Sequence, residues 1–89
     1  MYYKLSKNGC SECAKLNGFL STAKFSGAKE KITVVHKEEN LERYLELAAM
    51  AAEQGYNSLP ILMKDDKVIM SGFEPTKAFG VIQSILDGE

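Results

Sequence analysis

The chain contains no apolar run approaching the roughly 20 residues that a membrane-crossing helix requires, so no such span is expected. It has no surplus of positive charge. Its 11 lysines and arginines against 12 acidic residues leave a formal net charge of −1. Phosphate binding needs clustered excess lysine and arginine, which argues against nucleic acid as a main partner. No internal repeat or low-complexity segment interrupts the sequence. The first residues, MYYKLSKNG, lack the apolar core of a signal peptide, so a cytoplasmic location is expected. Metal-ligating side chains are scarce, with 2 cysteines and 1 histidine. A structural zinc site normally takes four such ligands, so zinc here would need carboxylates or a second chain. A length of 89 residues fits one domain, 1–89, with a modest core.

Both cysteines that are present fall in one short stretch, SKNGCSECAKL, residues 6–16. A reducing compartment disfavours a lasting structural disulfide. A bridge between Cys10 and Cys13 also closes too small a loop to restrict the unfolded chain much. A chemical use fits better: one thiolate attacks a disulfide and its neighbour resolves the mixed disulfide. Position can activate the attacker. Residues 14–25, AKLNGFLSTAKF, place Leu16, Phe19, Leu20 and Ala23 at helical spacing, and NGCS reads as the turn before them. Cys10 is then expected at a helix N-terminus, where free N–H groups and the helix dipole favour an anion and lower a thiol pKa. Cys13 is expected one turn inside and more buried. Lys7 and Lys15 bracket the pair with positive charge, and Glu12 opposes the thiolate slightly.

The remaining pattern alternates strands and helices. YYKL reads as a short strand and KITVVH, residues 31–36, as a buried one. With the helix between them they form a β-α-β unit of parallel strands. NLERYLELAAMAAEQG reads as an amphipathic helix with Asn40 as N-cap, Leu41, Tyr44, Leu45, Ala48 and Ala52 on the core face, and Gly55 as its stop. PILMKDDKVIMSG reads as a hairpin turning at Asp65–Asp66. A final helix after Pro75 puts Ala78, Val81, Ile82, Ile85 and Leu86 on one face.

This order, β-α-β-α-β-β-α with a dithiol at the first helix, resembles the thioredoxin fold, and its short form resembles the glutaredoxins. The resemblance spans essentially the whole chain and rests on KNGCSEC at 7–13, SLP at 58–60 and SGFEP at 71–75. It implies an α/β fold with a four-stranded mixed sheet flanked by three helices. It also implies a cis bond before Pro60, opposite the dithiol, which would expose the Leu59 backbone to an extended substrate. Lys7 matches a lysine that many glutaredoxins carry. The chain departs from them in having Ser11-Glu12 where they have Pro-Tyr, and in keeping one glycine, Gly72, of the Gly-Gly turn that holds glutathione. GYNSLP and SGFEP look more like NrdH-type redoxins, glutaredoxin-like donors to ribonucleotide reductase that draw electrons from thioredoxin reductase. Those proteins commonly carry arginine where this chain has Glu74.

The resemblance implies a dithiol–disulfide oxidoreductase with Cys10 as nucleophile and Cys13 as resolving thiol. Lys7, Ser11, Glu12, Leu59, Pro60, Gly72, Phe73 and Glu74 are the expected substrate-binding positions, with a contribution from Tyr56. No tightly bound cofactor is expected beyond the Cys10–Cys13 redox disulfide. The electron donor is glutathione or thioredoxin reductase, and the partner a disulfide-bearing protein such as ribonucleotide reductase. A monomer is expected. The alternative is an iron–sulfur carrier in which the cysteines of two chains, or of one chain with glutathione, complete the ligand set. His36, at the end of the second strand, is either a surface residue or a proton shuttle.

Overall fold

The computed structural model describes residues 1–88. Its elements are β1 (Tyr2–Ser6), α1 (Ser11–Leu20), a 3-10 turn (Ala23–Phe25), α2 (Ser26–Lys31), β2 (Ile32–His36), α3 (Leu41–Glu53), β3 (Ile61–Lys64), β4 (Lys67–Ser71) and α4 (Pro75–Leu86). The strands form a mixed sheet in the order β2-β1-β3-β4. β1 runs parallel to β2 and antiparallel to β3, and the β3–β4 hairpin is antiparallel. This is an α/β chain.

Strand alternation sorts the core into two layers. Leu62 of β3 and Ile32 of β2 meet Leu16 and Leu20 of α1, Ala28 of α2, and Ala78, Ile82 and Ile85 of α4. On the opposite face Leu5, Val35, Ile61 and Met63 meet Tyr44, Leu47 and Ala51 of α3. β1 is therefore central and covered on both sides. Its Lys4 and Ser6 are the buried polar residues of the described chain, at 4% and 5% exposure. The last turn of α3 sends Gln54 across to the hairpin. Its Nε2 donates to Asp66 O at 2.7 Å, and its Oε1 accepts from Val68 N–H at 2.9 Å.

The expected order with three helices needs correction, because the segment 14–25 is not one helix. α1 begins earlier, at Ser11, and stops at Leu20; a 3-10 turn and α2 follow, giving four α-helices among the described residues. The hydroxyls sit at the break. Ser21 Oγ donates to Asn17 O at 2.8 Å beside the helical Ser21 N–H bond to the same carbonyl, while Phe19 O accepts from Thr22 Oγ1 at 3.0 Å and from Thr22 N–H at 3.4 Å, three residues on rather than four, so the last turn tightens to 3-10 spacing. Phe25 remains in the core at 4% exposure, so the apolar pattern carries on through a change of direction.

The face of α3 is corrected too. Leu41 and Leu45 are 52% and 54% exposed, while Leu47 and Ala51 are buried beside Tyr44. Asn40 holds the N-cap position without a side-chain capping bond. Gly55 ends the helix as expected, at φ 90°. The hairpin turns at Asp65, and α4 buries Ala78, Ile82 and Ile85 with Val81 and Leu86 packed alongside. Among the described residues no helix is long and apolar enough to cross a membrane.

Candidate active site

Gly9 carries the turn out of β1 at φ 73°, a conformation that favours glycine. The next residue, Cys10, has extended backbone and occupies the N-cap of α1. Its Sγ accepts a hydrogen bond from Cys13 N–H at 3.1 Å, and its carbonyl accepts from Ala14 N–H at 3.1 Å. Cys10 therefore sits where the helix leaves N–H groups unpaired and where negative charge is favoured. Cys13, one turn on, is 2% exposed, whereas Cys10 is half-buried. The two are joined as a disulfide with their Cα atoms 5.2 Å apart.

A carboxylate steadies this turn. Both oxygens of Glu38 accept from Asn8 N–H, at 3.1 and 3.2 Å. Glu38 also lies 3.2 Å from His36 Nδ1, an arrangement that attracts when the imidazole is protonated. Glu38 precedes α3, and its carboxylate reaches back to the cysteine turn rather than serving the helix dipole. Glu12 pairs with exposed Lys15 at 3.2 Å, which offsets part of its negative charge beside the cysteines.

Two hollows flank Cys10. The smaller, of about 370 Å³, brings Lys7, Ser11 and Glu12 against Leu59, Asn57 and Tyr44. Burial, with a smaller contribution from Glu38, raises the Tyr44 pKa, so its hydroxyl stays protonated at neutral pH. The Leu59–Pro60 bond is cis, and Pro60 is buried directly behind Leu59. The segment 71–74 packs against this turn from behind. Gly72 N–H donates to both Ser58 O and Pro60 O at 2.9 Å, and Ser71 Oγ donates to Ser58 O at 2.8 Å. Phe73 is half-buried with its ring edge-on to Phe19, 5.9 Å between centroids, and Glu74 is exposed at the N-cap of α4. Of the expected substrate positions, Lys7, Ser11, Glu12 and Leu59 thus gather around Cys10. Pro60, Gly72, Phe73 and Glu74 line neither hollow, nor does Tyr56.

The chain matches no family model, no curated protein and no solved structure. Geometry alone therefore describes the site. Among the described residues no group of three or more histidine, cysteine, aspartate or glutamate side chains is placed to hold a metal ion.

The larger hollow, of about 760 Å³, opens on the other side of the cysteines, between α1, α2 and the β1–β2 pair. Sequence reasoning missed its floor, Lys4. The amine of Lys4 donates to Asn17 Oδ1. Burial, with Lys29 adding repulsion, lowers its pKa below the ordinary lysine range. The available signal was positional: a lysine in the strand that a parallel β-α-β unit and a hairpin would both cover.

A buried amine without a carboxylate partner is a stability cost. Lys4→Met, which keeps the stem volume, should stabilise the chain at pH 7 by roughly 1 kcal/mol in urea unfolding. The sign with pH follows from the lowered pKa. The charged amine weakens the fold below its folded pKa, and that penalty disappears as pH rises towards about 10.4, the unfolded value. The advantage of Lys4→Met should therefore shrink between pH 7 and pH 10. An advantage that grows with pH would contradict the placement of Lys4.

Proposed function

We propose that this chain is a small dithiol–disulfide oxidoreductase of the glutaredoxin type, built on a thioredoxin-like fold. One observation carries the reading: a half-buried Cys10 at a helix N-cap is bonded to a buried Cys13 one turn inside. The β-α-β and hairpin order, with a cis proline directly after the Leu59 that shares a hollow with Cys10, supports the same reading by resemblance.

In the reduced protein the Cys13 N–H and the helix terminus favour the Cys10 thiolate over the thiol. That thiolate attacks one sulfur of a substrate disulfide. The bond between the substrate sulfurs breaks, a mixed disulfide forms, and the departing thiolate takes a proton from solvent. The Cys13 thiol then loses its proton and attacks Cys10 Sγ, expelling the second substrate thiolate, which is protonated in turn. Substrate gains two electrons and two protons, and the protein is left with the Cys10–Cys13 disulfide. A thiol reductant or a flavoprotein reductase returns the electrons.

The turn after β4 supports one reductant over the other. In glutaredoxins a glycine-rich turn offers N–H groups to a glutathione carboxylate. Here Gly72 N–H is already engaged by the Ser58 and Pro60 carbonyls. A protein donor is therefore preferred over glutathione. An NADPH-coupled assay tests both halves of the proposal. Turnover should be at least several-fold faster with thioredoxin reductase than with glutathione and glutathione reductase. The reverse order would refute the donor preference. No turnover in either system, with no reduction of a simple disulfide by the dithiol protein, would refute the oxidoreductase reading.

A further inference from the structure

The larger hollow has an unbalanced lining. Lys4, Lys7, Lys29 and His36 face it together with both cysteines, and no aspartate or glutamate lines it. Among the described residues none of these three lysines is paired with a carboxylate. Glu38 has both oxygens committed to Asn8 N–H and lies beside His36, and Glu12 pairs with Lys15. Lys4 is 4% exposed, so its amine is a fixed feature of the floor and not a solvated surface charge. Its hydrogen bond goes to the neutral Asn17 side chain, and Lys29 repels it. An anion entering here would meet positive charge in a partly desolvated setting, where charge pairs are stronger than at an open surface.

The two hollows share Lys7, Gly9, Cys10 and Ser11 and lie on either side of the reactive sulfur. A polypeptide in the Leu59 hollow that presents its cysteine to Cys10 has the lysine-lined hollow adjoining that sulfur, open to the side chain next to its cysteine. Consecutive residues are about 3.8 Å apart, which suits that step.

We propose that the lysine-lined hollow seats the carboxylate of an aspartate or glutamate next to the substrate cysteine, so that the protein selects polypeptide disulfides with acidic flanks. This rests on the oxidoreductase reading and adds the substrate class to it. Lys4 and Lys29 act as positioning residues through the substrate carboxylate and take no part in the exchange of bonds.

The test uses the reduced full chain in single-turnover reactions with three peptides containing one disulfide. They differ only in carrying glutamate, glutamine or lysine beside the attacked cysteine. Hydroxyethyl disulfide serves as a neutral control. The glutamate peptide should react about five- to tenfold faster than the glutamine peptide, and the lysine peptide slowest. The advantage should shrink as salt is raised from 0.02 to 0.5 M. Lys29→Gln and Lys4→Met should each bring this ratio below about twofold, with every peptide rate taken relative to the same variant's hydroxyethyl disulfide rate. Lys67→Gln, on the far hairpin, should keep it. Equal rates for the three peptides, or an advantage that survives both substitutions, would overturn the proposal while the control reaction keeps the oxidoreductase reading intact. Failure of the control as well would overturn both.

Discussion

Cys10→Ser should reduce disulfide-exchange activity by about three orders of magnitude or more while leaving the helix content unchanged. The separation of these two effects follows from the N-cap. Cys10 Sγ accepts from Cys13 N–H, and a serine hydroxyl is among the best acceptors at that position. The substituted chain thus keeps its cap and loses its nucleophile, because an alcohol is not ionised near neutral pH. Cys13→Ser should behave differently. The first attack survives, resolution does not, and a stable mixed disulfide accumulates on Cys10. Intact-mass spectrometry after mixing with a peptide disulfide reads this directly. Circular dichroism checks that both variants fold. A Cys10→Ser protein that still forms a mixed disulfide, now on Cys13, would invert the assignment of roles.

Leu16→Ala should destabilise the chain by roughly 2–5 kcal/mol. Leu16 is 0% exposed and sits in the cluster that joins α1 to the sheet and to α4. Truncation removes transfer free energy and leaves a cavity between helices that cannot all close in. A domain of 89 residues is expected to have a total stability of about 4–13 kcal/mol, so this loss is a large share of it. The urea midpoint should fall with the slope unchanged. Leu45→Ala supplies the contrast. Leu45 is 54% exposed, and its truncation should change stability by less than about 0.5 kcal/mol. Equal losses at the two sites would mean that α3 faces the sheet differently.

That contrast also marks where sequence reading stopped. On α3, Leu45 and Leu47 each fit an apolar helical stripe, and periodicity alone cannot say which of two adjacent stripes the sheet will cover. The β-α-β unit, the hairpin turn at Asp65 and the face of α4 were legible because pattern, turn chemistry and the position of Pro75 agree there. The position of Cys10 at a helix start was legible for the same reason: glycine before it, periodicity after it. The break at Ser21–Thr22 was hidden because Phe25 continues the apolar pattern past the point where α1 stops. Glu38 and Lys4 were hidden more deeply. Each acts on the cysteine region through a contact that no local pattern encodes, one across 30 residues to Asn8 and the other across 13 to Asn17. The departure at Gly72 was visible, but its physical content was not. The glycine's N–H is spent on the Ser58–Pro60 turn.

The side chain of Gln54 has a consequence for how the molecule meets its own copies. β2 and β4 are the two margins of the sheet, and a bare margin is a template for another chain's backbone. At β4 the Gln54 amide offers one acceptor to Val68 N–H and one donor to Asp66 O, as a neighbouring peptide group would. It is a single-residue imitation of a fifth strand. A would-be strand arriving at that margin finds those two groups taken and an α-helix end standing over them. Backbone-to-backbone aggregation of folded copies along Lys67–Ser71 therefore meets an obstacle at the end of the strand nearest the hairpin turn.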